Sequence, residues 1–78
     1  MGLKEEVISA IAKTLDVGED ELIEDKTLYD SIGVDSTEMV ELTVALGKQF
    51  AVKIETDEIG KSSTPLEIVG IIENKKQS

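Results

Sequence analysis

A serine stands where a polar loop turns into an amphipathic stretch, at Gly33-Val34-Asp35-Ser36-Thr37-Glu38-Met39-Val40-Glu41-Leu42. As a nucleophile, that hydroxyl would need a base to take its proton and usually a third group to orient the base. The chain has no histidine and only carboxylates lie nearby, which argues against hydrolysis by this chain alone. As an attachment point, the serine would instead gain from the positive end of the helix dipole, which favours a negatively charged group such as a phosphate ester. The bland alternative is a serine or aspartate that merely caps a helix.

The residues after position 36 carry a helical pattern. Asp35 with Glu38 three residues on reads as a near capping box, and Met39, Val40, Thr43, Leu46, Gly47 and Phe50 recur at steps of three and four, the spacing of one helical face. A helix is therefore expected to start at Ser36. Upstream, Leu3, Val7, Ile8, Ile11, Ala12 and Leu15 form the stripe of a first helix, expected to stop between Asp16 and Gly18 where glycine supplies a terminator. From Val17 to Val34 no single period holds. Apolar residues come singly or in pairs, as in a long loop pinned to a core at intervals, with a helical turn near Glu19 to Leu22 and turn chemistry at Asp30-Ser31-Ile32-Gly33.

Downstream, Thr56 to Gly60 reads as one short helical turn with Thr56 as cap and Gly60 as stop. Thr64-Pro65-Leu66-Glu67 combines a threonine cap, proline at the first helical position and a glutamate completing a capping box, so a last helix begins there. Its expected stripe is Leu66, Val69 and Ile72, supported by Ile68 and Ile71, with Gly70 permitting close packing and a frayed tail from Lys75 onward.

These residues resemble a known family. Asp35-Ser36 opening a helix, followed by Glu38, Val40, Glu41 and Leu42, is similar to the Asp-Ser-Leu signature of acyl carrier proteins, whose serine carries a 4′-phosphopantetheine arm. The resemblance covers nearly the whole chain, residues 1–78, as a single domain. It implies an all-α fold: a four-helix bundle of three longer helices and one short third helix, with a long loop between the first two. It implies that Ser36 is the attachment residue and Asp35 its motif neighbour, and that the thiol of the arm carries acyl groups as thioesters between enzymes of fatty acid biosynthesis. The protein would then be a carrier and not an enzyme. Its partners would be a phosphopantetheinyl transferase and basic surfaces of acyl-processing enzymes, met by Asp35, Glu38, Glu41, Thr37 and Val44. An acyl chain would lie among Met39, Val40, Leu46, Ile54, Ile59, Leu66 and Val69.

Some positions depart from the family pattern. Thr37 stands where leucine is usual, Val44 where methionine is frequent, Gly47-Lys48 replaces what is often an acidic pair, and Ile32-Gly33 replaces leucine-glycine. Thr37, Val44 and Gly47 keep open a specialised carrier for polyketide, nonribosomal peptide, aminoacyl or unusual lipid assembly. A reading of another class also stays open, an acidic helical interaction module in which Ser36 only caps a helix.

Charge bears on the choice of partner. The 78 residues carry a net charge of −9, which argues against nucleic acid and anionic membrane surfaces. Ten acids between Asp16 and Glu41 face the single base Lys26, so this third of the chain holds the equivalent of that entire charge. No register within it supplies the alternating ligands, central glycine and closing glutamate of an EF-hand, so no defined metal site is expected, only weak pairing with divalent counterions. The absence of cysteine excludes disulfides and thiolate metal sites. With no long apolar run and an opening that turns acidic at Glu5 and Glu6, the expectation is a soluble cytoplasmic protein without membrane insertion, and most simply a monomer.

Overall fold

A computed structural model describes residues 2–77. Helix α1, Leu3–Leu15, buries Val7, Ala10, Ile11, Ala12 and Leu15, the face set by its apolar spacing. The Glu5 carboxylate accepts from the Gly2 N–H at 3.0 Å and closes its N-terminus. The helix stops at Asp16, which takes the left-handed conformation at φ 58°; aspartate tolerates that region better than most residues. The terminator is thus this aspartate, and Gly18 lies in extended backbone ahead of a 3-10 turn, Glu19–Glu21.

The long segment between α1 and the serine is anchored by Leu22, Leu28 and Val34, all buried. It also contains a short helix where the sequence suggests only a turn: α2, Leu28–Ile32. Thr27 Oγ1 accepts from Asp30 N at 3.1 Å and Ser31 Oγ donates to Thr27 O at 3.0 Å. Gly33 ends the helix at φ 67°, its N–H shared between the carbonyls of Leu28 and Tyr29. A side chain at that φ would be strained.

Helix α3, Ser36–Phe50, starts at the expected residue. Its buried face is Met39, Leu42, Thr43, Leu46 and Phe50. This turns the helix slightly from the expected stripe: Leu42 is fully buried, whereas Val40 is 48% exposed. The buried Thr43 hydroxyl donates to Met39 O at 2.8 Å, so its polarity is satisfied within the helix. Gly47 permits a close approach, because a Cβ there would stand 3.0 Å from Val52 O. The chain reverses at Ala51, itself left-handed at φ 55°, and Val52 N returns to Gly47 O at 3.0 Å.

The short third helix expected at Thr56 to Gly60 is a turn instead. Glu58 N bonds to Glu55 O at 3.0 Å and Glu55 N to the Glu58 carboxylate at 2.8 Å, so Glu55 opens the turn in place of Thr56. The segment holds its place by burying Ile59. Among the described residues there are three longer α-helices and one short one, with the short one second in order.

Helix α4, Pro65–Gln77, begins with the reciprocal cap expected of Thr64 and Glu67, at 2.8 and 3.1 Å. It buries Pro65, Ile68, Val69 and Ile72. Leu66 is 43% exposed, so Ile68 takes the place expected for it in the stripe. Gly70 is exposed, and a Cβ there would meet nothing within 4 Å, so close packing is not its role. The helix runs past Lys75, which pairs with Glu58 at 2.9 Å and joins α4 to the turn.

Helix α1 packs against both α3 and α4 around one apolar cluster. The start of α2 is tied to the segment before α4 by Leu28 N to Ser63 O at 3.0 Å and Tyr29 N to Lys61 O at 3.1 Å. Among the described residues no helix is long and apolar enough to cross a membrane.

The two glycines should respond oppositely to alanine. Gly70→Ala should stabilise the fold by about 0.5–1 kcal/mol, because exposed helical alanine loses less backbone entropy than glycine. Gly33→Ala should destabilise it by about 1–2 kcal/mol, because alanine is strained in the left-handed region; urea titration reads both. Glu58 supplies a pH dependence: the Glu55 N–H, and then Lys75, hold its carboxyl below the usual glutamate value. A folded-state pKa below the unfolded one gives a contribution fully present above the ordinary glutamate range and lost as pH falls through the depressed value. Glu58→Gln should therefore melt below the wild type at neutral pH, and the gap should close under acid titration.

Candidate functional site

The start of α3 is fixed from three sides. Gly33 turns the chain, Val34 is buried as an anchor, and Asp35 caps the helix. The capping box is reciprocal: Glu38 N donates to Asp35 Oδ1 at 2.8 Å, and Asp35 N donates to Glu38 Oε1 at 3.0 Å. Ser36, the first helical residue, is exposed. Both neighbouring carboxylates are engaged with backbone N–H groups, so neither is arranged as a base for the Ser36 hydroxyl. Among the described residues the serine is presented without an activating dyad.

Beside the serine lies a cleft of about 290 Å³. Ser36, Met39 and Val40 of α3 form one wall, and Thr56, Ile59, Gly60 and Lys61 of the connecting segment form the other. Its lining is apolar behind and polar at Ser36, Thr56 and Lys61. A phosphate ester on Ser36 would project from an exposed position beside an apolar hollow, and the residues present therefore fit a charged linker bearing an apolar load.

The structure brings together three of the residues expected around an acyl chain, Met39, Val40 and Ile59. Leu46 and Val69 are buried in the core, Ile54 is half-buried and Leu66 is exposed, and none of these four lines the cleft. Thr56, Gly60 and Lys61 line it although their sequence context suggests only a cap, a stop and a linker. On that wall, the buried Ile59 alone carries an apolar signal.

The expected partner contacts lie along the outer side of α3. Asp35, Thr37, Glu41 and Val44 are exposed, and Glu38 is half-buried through its part in the cap. Glu38 and Glu41, three apart, share a flank. Glu41 and Val44 border a second hollow of about 530 Å³, with Val40, Ala45, Lys48 and Thr14. Outside the first cleft, the Lys61 ammonium lies 5.6 Å from the centroid of the exposed Tyr29 ring, a contact worth about 0.5–1 kcal/mol at an exposed site. Among the described residues no three acidic side chains converge so as to hold a metal ion.

A family model described as a phosphopantetheine attachment site matches residues 5–72. An acyl carrier protein of Petrotoga mobilis is 38% identical over 73 residues, covering 94% of this chain and 86% of the relative. One of Thermotoga maritima is 34% identical over 79 aligned positions, covering 96% and 98%. One of a Sulfurovum species is 32% identical over 74, covering 95% and 99%. With the family model spanning all but the ends of the chain and these relatives aligned nearly end to end, the chain belongs to the phosphopantetheine-attachment family of acyl carrier proteins.

Proposed function

We propose that Ser36 is the residue that takes 4′-phosphopantetheine and that the chain serves as an acyl carrier in fatty acid biosynthesis, working as a cytoplasmic monomer. The observation that carries the assignment is the exposed hydroxyl on the first residue of α3, beside a cleft backed by Met39, Val40 and Ile59. A phosphopantetheinyl transferase would supply both coenzyme A and the base that the chain lacks. When attached, the arm provides a terminal thiol that holds acyl groups as thioesters, a nucleophile this cysteine-free chain does not have.

The chain's own residues do the rest. Asp35 and Glu38 hold the helix start, so the hydroxyl is offered at a fixed place. Met39, Val40 and Ile59 give an acyl chain an apolar surface on which to leave water. Asp35, Glu38 and Glu41, with Thr37 and Val44 beside them, form the face presented to basic patches on partner enzymes, and the acidic region around them steers those partners in.

Incubation with coenzyme A and a broad-specificity phosphopantetheinyl transferase should add one phosphopantetheine to the intact mass. Ser36→Ala should add none, while a gain that survives in the variant would place the attachment elsewhere. The steering can be separated from the cap with Glu38→Gln, which keeps an oxygen for the Asp35 N–H and removes a charge. Combined with Glu41→Gln, it should slow transferase association by roughly two- to fivefold at low ionic strength. The difference should fade in high salt.

A further inference from the structure

A phosphodiester on Ser36 would bring a negative charge to a place where Asp35 and Glu38 already supply two. Among the residues that line the adjoining cleft, Lys61 is the single charged one. No carboxylate pairs with it in any ion pair seen among the described residues. Its partner is the Tyr29 ring, which attracts the ammonium without neutralising it.

The backbone beneath Lys61 is also fixed. Its carbonyl accepts from Tyr29 N at 3.1 Å, and the turn that carries it is closed by Ser63 N to Gly60 O at 3.0 Å and by Gly60 N to Ser63 Oγ at 3.1 Å. Lys61 further borders a second hollow with Thr27, Tyr29, Asp30 and Ser62. The lysine thus stands between the Ser36 cleft and the tyrosine. Its backbone is anchored, and its ammonium is held by a contact weak enough to exchange for an anion.

We infer that Lys61 receives the phosphodiester of the arm on Ser36, and that Tyr29 is the positioning residue that keeps its ammonium beside the cleft. The inference rests on the assignment of the arm to Ser36. Lys61 offsets the repulsion from Asp35 and Glu38 and draws the near end of the arm toward the wall formed by Ile59, which favours the cleft over free solution for whatever the arm carries. Because the pairing is exposed, it is modest and sensitive to salt.

The test uses protein loaded by coenzyme A and transferase, with loading confirmed by mass. Phosphorus NMR follows the diester, and nuclear Overhauser contacts from the arm to the Met39 and Ile59 methyls follow its docking. On loading, the Lys61 side-chain resonances should move while those of Lys26 and Lys53 stay. Lys61→Gln should shift the phosphorus resonance and weaken the arm-to-methyl contacts roughly two- to fivefold. Lys61→Arg should restore them, Tyr29→Ala should give a smaller loss, and high salt should bring the wild type to the glutamine value. Thermal melting of the unloaded variants checks the fold, and rescue by arginine separates charge from a merely structural role. A loaded Lys61→Gln protein with unchanged phosphorus resonance and contacts overturns the inference while leaving the arm on Ser36. A wild type that gains no mass, or gains it at another residue, overturns the attachment reading and this inference together.

Discussion

The exchange of two hydrogen bonds between Asp35 and Glu38 is the interaction on which the site depends. A helix start leaves backbone N–H groups without partners, and an exposed one would recruit the nearest serine oxygen to fill the gap. Here the aspartate accepts from Glu38 N and the glutamate accepts from Asp35 N. The serine between them is therefore released from capping. The same box fixes where α3 begins, so the burial of Met39, Leu42, Leu46 and Phe50 and the exposure of Ser36 follow from one register.

Much of this is legible in the chain because it rests on local chemistry. Capping boxes at Asp35 and Thr64 depend on residues three apart, and both are present with the expected partners. The faces of α1, α3 and α4 follow from helical periodicity, with errors of one position where a stripe is flanked by further apolar residues. Val40 and Leu66 look like core from their spacing. They lie outside because Leu42 and Ile68 offer the core a better-centred side chain.

The less legible parts are those decided by contacts distant in sequence. Five residues of α2 are too few to show a period, although Thr27, Asp30 and Gly33 mark its ends. The turn after Glu55 is harder, because its shape depends on Ile59 reaching the core and Glu58 reaching Lys75. The cleft inherits that difficulty. Its α3 wall can be read from helical spacing, whereas Thr56, Gly60 and Lys61 join it through folding of an irregular segment against α2.

Two backbone hydrogen bonds, from Leu28 to Ser63 and from Tyr29 to Lys61, link the acidic segment before α3 to the connector after it. One of these segments holds the five residues of α2, and the other is irregular until α4 begins. Joined, they form a yoke across the end of the bundle. A shift of α2 would pull through these two bonds on Ser63 and Lys61, and Lys61 lines the far wall of the cleft. Such coupling is reciprocal by thermodynamic necessity. The far wall of the cleft is then set by α2 as well as by the connector that forms it.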